Sequence, residues 1–162
     1  MKIGIVLSQT PGYSETFFNS KIKGLREHGM DVRLYCQSKK DDFNLCPAIL
    51  SPRISRNPLM QSWYFLKEFV LLLPHLPAVI RYIKLERKES TGFFQLFKKI
   101  YLNAHLLKAN LDWLHFGFAT MALSSETVAK VIGAKMAVSF RGFDIAVYPV
   151  KHPDCYRMLW KY

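Results

Sequence analysis

Residues 3–29, IGIVLSQTPGYSETFFNSKIKGLREHG, decide the fold because an apolar strand, a short loop and an amphipathic helix follow one another directly. The run 3–7 is continuously apolar, which is typical of a parallel strand covered on both faces. Phe18, Ile22 and Leu25 then recur at spacings of four and three with basic residues between them, as in an amphipathic helix. This order is the beginning of a βαβ unit.

A second strand completes that unit. Gly29 stands in the usual place just past a helix end, and residues 31–36, DVRLYC, alternate like a strand. Residues 37–57 are rich in Lys, Asp, Ser, Asn and Pro and are predicted to be mainly loop, with a short strand near residues 48–50. The crossover between two parallel strands should be right-handed.

The strand rhythm returns near the end of the chain. Residues 112–117 and 135–140 have the pattern of strands, and residues 119–132 between them have the pattern of a helix. We therefore expect an α/β fold, a Rossmann-like parallel sheet flanked by helices, formed by one domain over residues 1–162. Helical patterns at 59–110 predict a helical insertion in that domain.

Within the insertion, residues 63–80, WYFLKEFVLLLPHLPAVI, are apolar enough to raise the question of a membrane span. Two prolines and three polar or charged residues interrupt the run, which favours a buried or interfacial hairpin. Residues 93–107 follow with an aromatic stripe beside a basic face. This pattern fits either packing on the sheet with solvated lysines or attachment to an anionic membrane.

Composition limits the partners without choosing among them. The 162 residues contain 23 Lys plus Arg against 12 Asp plus Glu, a formal charge of +11. Phosphates, nucleic acid and an anionic membrane surface are therefore all plausible partners. Three cysteines with no C-x-x-C spacing indicate neither a disulfide framework nor a zinc site, so we expect no metal, and they fit a reducing cytoplasm. The short apolar start is not a signal peptide, so we expect no export.

Polar clusters follow three of the predicted strands. They are residues 10–15, TPGYSE; residues 115–117, HFG; and residues 141–144, RGFD. In an open parallel sheet, ligands bind at the carboxyl ends of strands near the point where the strand order reverses. Convergence of the three clusters would therefore mark a binding site.

Each cluster also has a plain structural interpretation. The first could be an ordinary turn with Ser14 capping the helix and Glu15 near its positive terminus, or a loop whose amides bind a phosphate. His115 could bind or deprotonate a sugar hydroxyl, or could be a satisfied structural residue. Arg141 and Asp144 could recognise phosphate and hydroxyls, or could form a surface ion pair. Neither G-x-G-x-x-G nor G-x-x-x-x-G-K-[ST] occurs, which disfavours a nucleotide-dependent oxidoreductase or a P-loop protein.

Three motifs together, KIGIVLSQTPGYSETF, DWLHFGFA and VSFRGFDI, resemble the N-terminal half of the GT-B glycosyltransferases of family 4, particularly the bacterial ones that build exopolysaccharide or lipopolysaccharide. The likeness covers roughly residues 1–36 and 111–162. It implies two Rossmann-like domains facing across a cleft, of which the N-terminal one chiefly holds the acceptor. The motifs of the C-terminal nucleotide-sugar domain of that family do not occur in residues 1–162, so we expect this chain to correspond to the N-terminal half alone.

The resemblance implies a role for each matched residue. His115 and Asp144 are the candidate catalytic residues and would contact reacting or acceptor hydroxyls. Gly12 would lie against the donor diphosphate. The candidate substrate-binding residues are Gly12, Tyr13, Ser14, Glu15, Gly117, Arg141 and Gly142. Many relatives have His where this chain has Arg141, which can stabilise charge but cannot transfer a proton at neutral pH.

The expected function is thus the acceptor-side part of a retaining hexosyltransferase. It would move a hexose from a nucleotide-sugar to a lipid-linked or polysaccharide acceptor, without a cofactor, on the cytoplasmic side of the cell membrane. The fragment alone is expected to be inactive. The alternative is a non-catalytic basic module for an anionic membrane or nucleic acid, although no nucleic-acid signature is present and no such partner is expected.

Overall fold

A computed structural model describes residues 1–12 and 16–162 and contains one five-stranded sheet in which all strands run parallel. The strands are β1 (Lys2–Val6), β2 (Asp31–Cys36), β3 (Ala48–Leu50), β4 (Trp113–Phe116) and β5 (Lys135–Val138). Their order is β3-β2-β1-β4-β5. The predicted α/β, Rossmann-like fold is confirmed. The chain first moves outward from β1 to β3 and then returns to the other side of β1, so the strand order reverses between β1 and β4.

Nine α-helices lie within the described residues. They are α1 (Thr16–Glu27), α2 (Pro58–Leu72), α3 (Leu76–Lys88), α4 (Phe93–Leu102), α5 (Ala104–Leu107), α6 (Ala119–Ala122), α7 (Val128–Ile132), α8 (Tyr148–Lys151) and α9 (Arg157–Lys161). A 3-10 turn at Leu73–His75 joins α2 to α3, and a π-helical turn at Phe143–Val147 precedes α8. The predicted end of α1 is confirmed: Gly29 has a φ of +75°, and its N–H bonds to the Arg26 carbonyl at 2.9 Å.

The hairpin predicted at residues 63–80 is wrong. Residues 58–88 form one helical segment of 31 residues that is long and apolar enough, by length and composition only, to cross a membrane. Pro74 lies at the start of the 3-10 turn, and Pro77 lies at the start of α3. The first N–H groups of a helix have no acceptor within the helix, so a proline there loses no hydrogen bond. Only 11% of the most apolar 18-residue window is buried, whereas Val79, Tyr82 and Glu86 of α3 are buried.

The single helix predicted at residues 119–132 is also wrong, because it is divided into α6 and α7. Ser124 has a φ of +71° between them, a left-handed conformation that ends a helix. The Asn103 amide donates to the Ser124 carbonyl at 2.9 Å, and the Ser125 hydroxyl donates to Asn103 Oδ1 at 2.6 Å. A side chain distant in sequence therefore replaces the bonds of a continuous helix.

Two apolar clusters form the core, one on each face of the sheet. Ile3, Ile5, Phe18 and Ile22 belong to the cluster between the sheet and α1. On the opposite face, Leu114 and Phe116 pack with the helices of the insertion; the most buried residues there include Tyr82, Leu106, Leu107, Val128 and Ala119. Since side chains alternate along a strand, His115 lies on the α1 face.

Candidate functional site

The three polar clusters leave neighbouring strands at one edge of the sheet. Val6 at the end of β1 is paired with Phe116 of β4, and Phe116 is paired with Val138 of β5. The segments that follow these strands therefore begin side by side, at the point where the strand order reverses. We call this edge the β1/β4/β5 rim; it includes residues 10–12, 115–118 and 139–144.

The first cluster is held against the loop after β2. Thr10 is fully buried, and its hydroxyl accepts the N–H of Lys40 at 2.8 Å. The Gly12 carbonyl accepts a hydrogen bond from the Asn19 amide of α1 at 3.0 Å. A Cβ at Gly12 would lie 2.5 Å from Lys40 Nζ, so a cation lies against this glycine. Tyr13, Ser14 and Glu15 lie outside the described residues, and their expected roles stay predictions.

His115 of the second cluster is hydrogen-bonded on both ring nitrogens. Lys21 Nζ of α1 lies 2.7 Å from Nδ1, and Ser139 Oγ lies 2.8 Å from Nε2. The same Nζ is 3.4 Å from Nε2, and the shorter contact is the hydrogen bond. Because an ammonium group can only donate, Nδ1 is the acceptor, and the ring proton on Nε2 is donated to Ser139. In the series of hydrogen bonds Lys21–His115–Ser139, each residue donates to the next. The serine hydroxyl proton is therefore available to a ligand.

The surroundings of His115 keep its imidazole neutral. Burial, reinforced by the charge of Lys21, lowers the pKa of His115 from 6.5 to about 4. Burial also lowers the pKa of Lys21, as does the nearby charge of Arg141. His115 therefore carries no charge at neutral pH, and its one basic lone pair already accepts from Lys21. This geometry suits a donor relay through Ser139 better than proton abstraction by His115.

Replacing Lys21 by methionine is expected to raise the pKa of His115 from about 4 towards 6.5. The charge that opposes protonation is removed while burial remains, so the pKa should stay below the ordinary value. Titration of the imidazole by NMR measures the change and reports the tautomer. Lys23→Met is the matched control, because Lys23 is exposed on the same helix. Equal His115 pKa values in the two variants would disprove the contact.

Gly117 is a packing position. A Cβ there would lie 2.3 Å from Leu7 Cδ2 and 3.0 Å from the Phe18 ring, and both of these side chains are buried. Only glycine lets the first turns of α1 approach the end of β4 this closely. The expected contact between Gly117 and a substrate stays a prediction, whereas its role in positioning α1 follows directly from the distances.

Arg141 of the third cluster lies over aromatic rings at the start of α1. Its guanidinium carbon is 4.6 Å from the ring centroids of both Phe17 and Phe18 and 5.0 Å from that of Phe118. These cation–π contacts hold the cation at the rim. Within the described part of the chain, Arg141 forms no ion pair with a carboxylate. The surface ion pair with Asp144, one of the two interpretations of this motif, is therefore not formed.

Asp144 is buried, with 1% of its surface exposed. Its two oxygens accept the backbone N–H groups of Thr120 and Arg141, each at 3.1 Å. These bonds fix the loop after β5 against the start of α6, so Asp144 positions Arg141. The expected contact of Asp144 with a substrate hydroxyl stays a prediction. Gly142 is exposed, and a Cβ there would meet no other atom within 4 Å.

Neither Lys21 nor Ser139 was among the site residues predicted from the sequence. Lys21 follows Phe18 by three residues and so lies near the buried face of α1, and Ser139 stands two residues before Arg141. Together with Arg141 they give the rim two cations, a hydroxyl and a neutral imidazole. Such a set attracts and binds anionic oxygens. Among residues 1–12 and 16–162, no group of three or more His, Cys, Asp or Glu side chains could hold a metal ion.

Comparisons with known proteins add no assignment. A scan against protein-family models, a search of curated proteins and a search of solved structures each find no match to this chain.

Proposed function

We propose that this chain is the acceptor-side domain of a retaining, GT-B-type hexosyltransferase that uses a nucleotide-sugar donor. One observation carries the proposal: Lys21, His115 and Arg141 lie together at the carboxyl edge of three adjacent parallel strands, where the strand order reverses. The motifs that resemble the glycosyltransferases of family 4 are the segments that form this edge. A polar, cationic edge at a switch point is the expected place for a phosphorylated ligand.

In this proposal the rim stabilises the diphosphate leaving group and aligns the acceptor. Arg141 and Lys21 supply positive charge, which is most effective where water is partly excluded. Ser139, oriented by His115, donates to an oxygen of the donor or acceptor. The reaction requires the charge that develops on the leaving oxygen to be neutralised and the acceptor hydroxyl to be aligned for attack. In this proposal Lys21 and Arg141 supply the charge, and Ser139 supplies the fixed donor.

The proposed acceptor is lipid-linked or a polysaccharide, and exposed helices support attachment of the domain to a membrane. Twelve large apolar side chains on α2, α3, α4 and the turn after α2 are exposed. We call them the apolar helix surface: Leu59, Met60, Trp63, Leu66, Val70, Leu71, Leu73, Leu76, Ile80, Phe93, Phe94 and Phe97. Phe97 contacts Phe69 of α2 at a centroid distance of 5.3 Å, so the parts on α2 and α4 are continuous. A cluster of exposed large apolar side chains is typical of an interaction surface.

The charges around this surface favour an anionic membrane as its partner. Exposed cations on the same helices are Lys67, Arg81, Lys84, Arg87, Lys88 and Lys98. The three carboxylates between residues 58 and 100 all pair with lysines: Glu68 with Lys108 at 2.8 Å, Glu86 with Lys99 at 2.7 Å, and Glu89 with Lys161 at 2.5 Å. Apolar side chains flanked by unpaired cations are typical of helices that lie in the interface of an anionic leaflet.

Isothermal titration calorimetry with three ligands tests the class of function. Because the rim supplies only the contacts to the diphosphate, we expect UDP-glucose to bind weakly to the chain, and NAD and a random oligonucleotide to bind more weakly still at physiological salt. NAD as the tightest ligand would favour an oxidoreductase. Oligonucleotide binding that falls steeply with salt, without binding of the nucleotide-sugar, would favour the basic binding module.

A further inference from the structure

A concavity lies on the face of the sheet opposite to α1. It is a cleft of about 810 Å³ at the carboxyl ends of β1, β2 and β3, between the sheet and the helices of the insertion. We call it the helix-side cleft; its walls include Gln37, Ser51, Arg53, Tyr64, His105 and Ser125. Its volume falls within the range of about 300–1,000 Å³ that is typical of small-molecule sites.

The walls of the cleft are held by contacts outside the ligand space. The Tyr101 hydroxyl donates to the carbonyl of Arg53, and Pro52 is buried, so the segment after β3 is fixed. On the other side, the Asn103 amide donates to the Tyr82 hydroxyl at 3.2 Å and to the Ser124 carbonyl at 2.9 Å. The cleft is therefore preformed, which lowers the entropic cost of binding.

The polar groups of the cleft suit a ligand with one negative charge and several hydroxyls. Arg53 is its only charged wall residue, and it forms no ion pair within the described ranges. Ser51, Ser55, Ser125 and Tyr64 also line the cleft. His105 also lines the cleft, and its Nδ1 is buried without a hydrogen-bond partner in the part of the chain that the structure describes. Burial lowers the pKa of His105 to about 4, so this ring is a neutral partner for a hydroxyl.

A smaller cavity of about 310 Å³ continues the cleft towards α2. It shares Arg53 and Tyr64 with the helix-side cleft and adds Lys67 and Tyr101. Glu68, its one carboxylate, is paired with Lys108. The two cavities form a groove that leads from the sheet edge to α2, which also carries Trp63 and Leu66 of the apolar helix surface.

We propose that the helix-side cleft binds a phosphorylated sugar, with Arg53 holding the phosphate. The sugar hydroxyls meet Ser51, Ser125 and His105, and the groove allows a lipid chain attached to the phosphate to leave towards α2. That the ligand is the acceptor of the transfer reaction rests on the proposed function. Recognition of a sugar phosphate by the cleft does not depend on the proposed function, because it is inferred from the wall residues alone.

Titration of the ¹⁵N-labelled chain with glucose 1-phosphate tests this site, with glucose and inorganic phosphate as separate probes. We expect glucose 1-phosphate to shift the amides of residues 51–55 and 103–106 and to bind at least tenfold more tightly than either probe. Arg53→Ala should weaken binding about tenfold, since a charge-assisted hydrogen bond is lost. Arg56→Ala is the matched control, because Arg56 is exposed in the same loop outside the cleft walls.

The outcomes separate the sources of binding. If inorganic phosphate binds as tightly as glucose 1-phosphate, the cleft is only a site for a free anion. If glucose binds as tightly as glucose 1-phosphate, Arg53 has no role in recognition. Either result overturns the proposal. Unchanged affinity in Arg53→Ala, or shifts confined to the rim, would also overturn it. Failure here leaves binding of UDP-glucose at the rim intact, so failure of the cleft and failure of the proposed function are distinguishable.

Discussion

Replacing Glu86 by alanine is expected to lower the free energy of unfolding by about 3–5 kcal/mol, because it breaks a buried ion pair. Glu86 of α3 is 1% exposed. Its carboxylate accepts the Thr127 hydroxyl at 2.7 Å, the Lys99 ammonium at 2.7 Å and the Thr91 hydroxyl at 3.0 Å. The alanine variant would leave a partly buried cation and a buried hydroxyl without their acceptor.

Urea denaturation of the chain and its variants measures this change. Glu68→Ala is the matched control, since its pair with Lys108 is more exposed and should contribute less than about 1 kcal/mol. The network joins α3, α4 and the start of α7, so its loss should loosen the helices of the insertion together. Similar losses of stability in the two variants would contradict the account of Glu86.

Placing aspartate at both Trp63 and Leu66 is expected to reduce binding to anionic vesicles about a hundredfold. Both side chains belong to the apolar helix surface and are more than half exposed to water, at 64% and 57%. Moving such a side chain from water into the membrane interface is worth about 1.5–3 kcal/mol, or at least tenfold in affinity. Two added negative charges also repel an anionic leaflet.

Vesicle flotation with phosphatidylglycerol and with phosphatidylcholine measures the effect. Val150→Asp is the control, because Val150 is also exposed but lies in α8, outside the apolar helix surface. We expect the unaltered chain to prefer anionic vesicles and to dissociate as salt is raised. Equal binding to phosphatidylglycerol and phosphatidylcholine vesicles would contradict the role of the exposed cations. A salt-insensitive dimer that disappears in the double variant would identify a second copy of the chain as the partner instead.

The sequence predicted the sheet well because strand patterns are local. The run 3–7, the alternation at 31–36 and Gly29 between them depend only on nearby residues, and all three appear in the structure. The break between α6 and α7 could not be predicted, because its cause is the side chain of Asn103. The hairpin prediction failed for another reason: prolines at the start of a helix do not require the chain to turn.

The sequence predicted that the polar clusters would lie at one edge of the sheet, but it did not predict the contacts of their side chains. Parallel topology brings three strand ends to one edge, and this placed His115 and Arg141 near each other without any knowledge of side chains. The partners of His115 depend on how α1 packs on β4, which a single sequence does not encode locally. Lys21 therefore emerged only from the distances, as did the buried position of Asp144. The helix-side cleft has no sequence signal, because its walls come from segments far apart in the chain.

In the proposed function, the β1/β4/β5 rim binds the phosphate groups of a nucleotide-sugar. Chemical-shift mapping with UDP-glucose tests it most directly, on the unaltered chain and on Arg141→Met, with Arg157→Met as the control for an exposed arginine. We predict the largest shifts at Gly12, Gly117 and Arg141, and a loss of affinity of about tenfold in Arg141→Met alone. Shifts confined to the helix-side cleft or the apolar helix surface, with equal affinity in both variants, would contradict the claim.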